Sequence, residues 1–251
     1  MSNRLSKNYL LWNSDESSIL ISTRTNIKHI STHKGKIELN YPLEYGATII
    51  SSTNKKYYVL IPTHQDINVK LNRTTNTFTV KDLSLILGFT SLTKDSVVLE
   101  IGVGSGAGSI FLSNFVKKVV SIDNNFYNIS NAKQNIHKFA KQENVVITLS
   151  NEKHLIFKNN TFDCVIIDIA EPQVYCELCN FALKPGGDLV FAVPNIEQVK
   201  EARKVFAKSG FIYFRTVEIW LRKWIVRENY SRPEHELQSH SMFLTFCKKI
   251  K

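Results

Sequence analysis

Residues 97–108 read Val-Val-Leu-Glu-Ile-Gly-Val-Gly-Ser-Gly-Ala-Gly, an apolar, β-branched run that breaks into glycines and opens onto helix-forming sequence. No other stretch narrows the choice of fold as much. Glycines, lacking a Cβ, let the chain turn sharply and bring bare backbone against a ligand. The N–H groups that follow favour a polar or negatively charged ligand group. Gly-x-Gly-x-Gly alone fits any dinucleotide-type fold. Two acids narrow it further: Glu100, two positions before the first glycine, and Asp123, closing the next strand-like run, Lys118-Val-Val-Ser-Ile-Asp123.

From there strands and helices alternate. Strands are predicted at 97–103, 118–123, 145–149, 162–168 and 188–194, and helices at 107–115, 127–141, 174–183 and 197–209. Two β-rich runs, 211–220 and 241–247, then close the chain as an antiparallel pair. Such alternation predicts an α/β doubly wound, mostly parallel seven-stranded sheet, covered on both faces. The pattern resembles the Rossmann-like fold of class I methyltransferases. The first third differs: short β-rich runs (Ile19–Ser22, Lys36–Leu39, Ala47–Ile50, Tyr57–Ile61) separated by turn-forming residues predict a small all-β barrel or meander. The expected domains are therefore 1–69, a β-barrel-like unit, and 70–251, the catalytic unit. The acid pair suits S-adenosylmethionine, with Glu100 near the turn and Asp123 accepting hydrogen bonds from both ribose hydroxyls. A nicotinamide dinucleotide is the competing occupant, and a tight strand-to-helix connection without ligand the plain one.

With 251 residues, 43% of them hydrophobic, the chain can bury one large or two modest domains. No apolar stretch approaches the ~18 residues that span a bilayer. Residues Met1–Lys7 lack the apolar core and cleavage site of a secretory signal, so a cytoplasmic protein is expected. The net charge of +10 points to an anionic partner, nucleic acid above all, against the plainer role of solubility. Cys164, Cys176, Cys179 and Cys247 read as core thiols. Cys176-Glu-Leu-Cys179 has the spacing of a zinc knuckle but no second pair and a helical setting, so no metal is expected.

Ligands in such sheets bind beyond the carboxyl ends of the strands. The run ending Ile166-Ile-Asp168-Ile-Ala-Glu171-Pro172 places Asp168 there, beside the donor methyl, with helix capping as its competing role. The segment is not the Asp/Asn-Pro-Pro-Tyr/Phe pattern of exocyclic-amine methylation, and Cys164 lies inside a strand, away from the place of a pyrimidine-C5 nucleophile. Methylation of a ring nitrogen is what those exclusions leave. Near the end, Trp224, Arg232-Pro233 and His240-Ser-Met-Phe243-Leu244 combine basic, imidazole and aromatic groups able to clamp an extruded nucleoside, though each taken singly also suits a structural place.

Taken in order, Leu99–Gly106, Asp168-Ile-Ala-Glu-Pro172, Val193-Pro-Asn-Ile-Glu-Gln198 and Arg232-Pro233 with His240 and Phe243-Leu244 resemble the tRNA adenine-N1 methyltransferases acting on the T-loop adenosine, position 58 in tRNA numbering. Phe78-Thr-Val-Lys81-Asp82 resembles the family's Tyr-Pro-Lys-Asp stretch beside the methyl donor. The resemblance implies that Glu100, Gly102, Gly104, Ser105, Gly106 and Asp123 hold S-adenosylmethionine. It implies Asp168 at the same site as the catalytic carboxylate, with Arg232 and His240 near the target base. It further implies a tRNA substrate and a homotetramer, and leaves position 57 open. Val80 replaces the usual proline, and Asn76 the upstream glutamine. In the tail, Glu236 stands where a basic residue is common and Ser239 replaces a glycine. The rival readings are an isoaspartate-type protein carboxyl methyltransferase and a non-catalytic tRNA-binding subunit. The first would not call for +10 charge; the second would have no use for three turn glycines with Glu100 and Asp168.

Overall fold

The computed structural model describes residues 8–14, 18–25, 27–73, 78–140, 142–150, 157–235 and 240–250; Asn76, Glu236 and Ser239 lie outside them. The chain divides into two compact units, 1–72 with 137–139, and 73–136 with 140–251.

The first unit contains β1 (Asn8–Trp12), β2 (Ser18–Ser22), β3 (His29–Thr32), β4 (Gly35–Glu38), β5 (Thr48–Ile50), β6 (Lys56–Leu60) and α1 (His64–Val69). Its antiparallel sheet runs β2-β1-β6-β5, and β3–β4 is a separate hairpin. The expected barrel is thus an open sheet plus a hairpin among the described residues. The hairpin adds Ile37 to the apolar cluster of Leu11, Ile21, Tyr57 and Val59, covering the sheet's apolar side rather than extending its ladder. In β6 the pattern is strict, with Tyr57 and Val59 buried between exposed neighbours, as a half-buried strand requires. The β1, β3 and α1 elements are additions to the expected set. Helix α1 starts at a capping box: Asp66 accepts from the Thr63 N–H at 2.8 Å while its own N–H donates to Thr63 Oγ1 at 3.2 Å.

The second unit contains α2 (Val80–Phe89), β7 (Val97–Ile101), α3 (Ala107–Leu112), β8 (Lys118–Asp123), α4 (Phe126–Phe139), β9 (Val145–Leu149), β10 (Phe162–Ile167), α5 (Cys176–Ala182), β11 (Leu183–Val193), α6 (Ile196–Lys208), β12 (Phe211–Val217), β13 (Trp224–Arg227), β14 (Tyr230–Pro233) and β15 (Phe243–Lys249). Seven described strands form one sheet in the order β12-β15-β11-β10-β7-β8-β9; β15 runs antiparallel to β11 and β12, and the other pairings are parallel. Successive side chains of the central strands feed opposite cores. Leu99, Ile101, Val165, Ile167 and Phe191 join one cluster with Phe206 of α6; Val98, Cys164, Ile166, Val190 and Leu244 join another with Leu83 and Ile86 of α2 and Leu112 of α3. This two-sided burial explains near-continuous apolar runs in place of alternation.

The strands of the second unit depart from expectation at two places. Strand β11 begins at Leu183 rather than Asp188, with Lys184–Gly187 as an irregularity before regular pairing starts at Cys164 and Asp188. Between β12 and β15 the chain makes an extra antiparallel hairpin, β13–β14, pairing Trp224 with Pro233 and Ile225 with Arg232. All four cysteines are free and buried. No described helix is long and apolar enough to cross a membrane.

Candidate active site

Strand β7 leads outward to β8 and β9, whereas β10 returns on its other side. The carboxyl ends of β7 and β10 therefore flank the point where the strand order reverses, the ligand crevice of open α/β sheets. Backbone contacts fix that crevice: the Asp168 N–H donates to the Ile101 carbonyl at 2.8 Å, and the Gly102 N–H to the Ile122 carbonyl at 2.8 Å. Gly102 has φ +92°, and a Cβ there would lie 2.3 Å from the Asp168 carbonyl oxygen. The glycine turn and the Asp168 segment thus touch backbone to backbone, which no side chain permits. Gly104 and Gly106 also have positive φ, and the Gly106 N–H closes a turn onto Val103 at 2.7 Å. Ser105 is fully buried; its carbonyl accepts from Asn135 Nδ2 at 2.9 Å and its hydroxyl has no protein partner.

Four carboxylates gather around this turn. Asp123 ends β8 and binds the turn directly. It accepts from the Gly104 N–H at 3.1 Å, from the Asn125 N–H at 2.9 Å and from Asn128 Nδ2 at 3.2 and 3.3 Å. Glu100 is buried on the α3 side of β7, where Oε2 accepts from the Ser109 hydroxyl and, at 2.7 Å, from the Ser121 hydroxyl. A Cβ at Gly108 would lie 2.0 Å from its Oε1, so Gly108 is the space that admits the carboxylate. Glu100 thus supports the loop from behind by tying α3 to β7 and β8. Burial pushes its pKa to about 7 against the opposing hydrogen bonds from Ser109 and Ser121. Asp168, at the end of β10, is pushed to about 8, by burial first and then by the charges of Glu100, Asp82 and Asp123. Asp82 itself, fully buried at the start of α2, accepts from the Thr79 hydroxyl at 2.6 Å and N–H at 3.2 Å.

The tail residues make contacts of their own. His240 holds the Pro194 carbonyl through Nε2 and Glu218 through Nδ1, each at 2.7 Å. Both ring nitrogens face acceptors, an arrangement that the protonated ring satisfies in full, and the Pro194 carbonyl and then Glu218 raise its pKa. With both nitrogens engaged it fastens the end of β11 to the end of β12. Arg232 sits on β14, where its guanidinium donates to the Pro233 carbonyl at 3.3 Å. Gln198, in the first turn of α6, donates to the Ala170 carbonyl at 3.0 Å and steadies the loop after Asp168.

These shifts set the pH dependence of stability. Glu100 and Asp168 hold protons in the folded state at pH values where the unfolded chain has released them, and His240 does so from neutrality upward. The folded state therefore binds more protons, and stability falls as pH rises. Thermal melts are expected to lose midpoint from acid toward pH 8 and to level off above it. Asp168→Asn should flatten that slope, and an unchanged slope would remove Asp168 from the cluster.

The arrangement asks for a cation. At the crevice Asp168 meets the charges of Glu100, Asp82 and Asp123, of which Asp82 is paired with the Lys81 ammonium at 3.2 Å, and its carboxyl is held protonated near neutrality. A dinucleotide pyrophosphate would add negative charge to that site, whereas the sulfonium and ammonium of S-adenosylmethionine would relieve it. Asp123 and the glycine turn suit the ribose and methionine parts of that molecule, and the unpartnered Ser105 hydroxyl supplies a further polar group. Among the described residues no group of three or more His, Cys, Asp or Glu side chains is placed to hold a metal ion.

Comparison with known proteins agrees. A curated relative from Thermus thermophilus, the tRNA (adenine(58)-N(1))-methyltransferase TrmI, is 29% identical over 87% of this chain and 88% of its own. A Methanocaldococcus jannaschii relative described as acting at adenines 57 and 58 is 25% identical over 90% of this chain and 89% of its own. Among solved structures, a Thermotoga maritima protein described as an SAM-dependent O-methyltransferase superposes with a TM-score of 0.87 at 28% identity, covering 98% of this chain and 93% of that one. The Aquifex aeolicus tRNA (m1A58) methyltransferase TrmI gives 0.80 at 25%, covering 98% and 97%. The family described as tRNA methyltransferase complex GCD14 subunit matches residues 55–231, and the chain belongs to that family.

Proposed function

We propose that this protein transfers a methyl group from S-adenosylmethionine to N1 of adenosine in the T-loop of tRNA, at position 58. The observation that carries the reading is the geometry of the switch point, where the Gly102 turn meets the Asp168 backbone and Asp123 accepts from the Gly104 N–H. S-adenosylmethionine, when bound, supplies an electrophilic methyl carbon on a positively charged sulfur. Asp123 and the Gly102–Gly106 turn hold and orient it, and Glu100 keeps that turn in place from behind. The N1 lone pair of adenine lies in the ring plane and needs no base to free it. Asp168, ionised beside the cationic donor, accepts a hydrogen bond from the adenine N6 amino group and offsets the positive charge that grows on the ring. Positioning and electrostatics supply the acceleration. Reaching N1 requires the T-loop base to be splayed out of its stack. The +10 charge supports RNA as the partner. A homotetramer working in the cytoplasm, with Arg232 near the bound RNA, completes the proposal.

The test is to incubate the purified protein with an unmodified tRNA transcript and isotopically labelled S-adenosylmethionine, followed by digestion and nucleoside mass spectrometry. Labelled 1-methyladenosine mapped to the T-loop is the expected result, and fragment mapping separates positions 57 and 58. Donor binding with no methylated tRNA would overturn the reading for the isolated chain and point to another substrate or a partner subunit.

A further inference from the structure

Lys81, in the first turn of α2, is a buried cation that the steps above do not use. Only 6% of its side chain is exposed, and none of Asp82 beside it. Its ammonium lies 3.2 Å from Asp82 Oδ1, 2.6 Å from Ser241 Oγ and 3.0 Å from the Ile219 carbonyl oxygen. Three donors meet three acceptors, so the group is saturated. Ser241 Oγ in turn donates to Asp82 Oδ1 at 2.8 Å.

The residues preceding Ile219 and Ser241 are Glu218 and His240, the pair joined at 2.7 Å. Two consecutive pairs, 218–219 and 240–241, are therefore fastened twice. Lys81 ties them to α2, and His240 ties them to Pro194 at the end of β11. Between the pairs lies the stretch that carries the β13–β14 hairpin and Arg232. A buried ion pair adds little stability over well-packed apolar side chains. Its distinctive contribution is geometric and electrostatic: it sets where these segments stand, and it compensates one of the charges that face Asp168.

We infer that Lys81 is a positioning residue of the methyl-transfer site: its ammonium clasps the exit of β12 and the start of β15 to α2, offsets the Asp82 charge beside Asp168, and shares this clasp with His240. The groups that face it are Asp82, Ser241 and the Ile219 carbonyl, with Glu218 and His240 at longer range. Those that face Asp168 are Glu100, Asp82 and Asp123. The inference rests on the tRNA methyltransferase reading for its kinetic readout.

The experiment compares wild type, Lys81→Met, Lys81→Arg and the double variant Lys81→Met/Asp82→Asn. Turnover and KM for a tRNA transcript are measured across pH, and amide hydrogen exchange at 218–219 and 240–241 is followed in the same proteins. In Lys81→Met the uncompensated Asp82 disfavours ionised Asp168, so the acid limb of the rate profile should move to higher pH, and the plateau should fall about 10-fold to 100-fold. Lys81→Arg, which keeps the charge, should hold the wild-type limb. The double variant removes both charges and guards against a single variant that fails to fold. It should restore the limb but not the plateau, and show faster exchange at both pairs, because Ile219 and Ser241 stay unfastened. Wild-type turnover and exchange in the double variant, or an unmoved limb in a folded Lys81→Met, would overturn the inference. If the wild type methylates no tRNA, the functional reading fails separately. The clasp is then decided by exchange alone, with faster exchange in the double variant upholding it and unchanged exchange refuting it.

Discussion

Asp168→Ala should lower methyl transfer to tRNA by about 10²–10³-fold, the scale set by removing one preorganised electrostatic group from an active site. Donor affinity should stay close to wild type. The reason lies in the charge state: with its pKa raised to about 8, Asp168 is largely protonated at neutral pH before any ligand arrives, so its removal takes little negative charge from the crevice. The cationic donor should then favour the ionised form and expel that proton. Calorimetry of donor binding in buffers of different ionisation enthalpy should therefore show proton release near neutrality in the wild type and less of it in Asp168→Ala. Asp168→Asn keeps an acceptor for the adenine amino group but loses the charge, so its rate should fall between the two. A variant whose transfer and donor affinity collapsed together would make Asp168 a donor ligand instead of the base-contacting carboxylate.

Gly102→Ala should destabilise the catalytic unit by about 3–5 kcal/mol, at the upper end for a single substitution. Two penalties combine at this position. The φ of +92° disfavours any L side chain, and the new Cβ would lie 2.3 Å from the Asp168 carbonyl oxygen, a backbone atom held by the hydrogen bond between the Asp168 N–H and Ile101. Gly186 separates the two penalties. It has φ +77° but nothing within 4 Å of a built Cβ, so Gly186→Ala should cost only the backbone strain, about 1–3 kcal/mol. Denaturant midpoints of the two variants measure the difference. Where Gly102→Ala still folds, donor binding should be lost with it, because opening the turn moves the backbone that faces the ligand. Equal costs at the two sites would mean that the loop and the Asp168 segment are not in contact.

The features legible in the sequence were those written over short spans. The strand alternation of the second unit, the glycine turn, Asp123 at one strand end and Asp168 at another follow from periodicity and from the backbone freedom of glycine, each expressed within a few residues. The Thr63-x-x-Asp66 capping box is equally local, and its spacing carried the signal for the α1 helix that the turn-based reading passed over. Strands β13 and β14 have four residues each and largely exposed side chains, so no burial pattern marked them. The direction of Glu100 depended on Gly108 leaving space and on Ser121 arriving from the neighbouring strand. His240 and Lys81 are the clearest cases. His240 finds an acceptor for each ring nitrogen on β-strand ends 22 and 46 residues away, and Lys81 meets Ile219 and Ser241 across 138 and 160 residues. Such partners meet only once the sheet has assembled. The sequence by itself determined the doubly wound sheet and the presence of a donor crevice, because local backbone preference and side-chain period dictate both. Tertiary structure alone decided which charged groups face that crevice and which brace it, because that division depends on contacts between segments far apart in the chain.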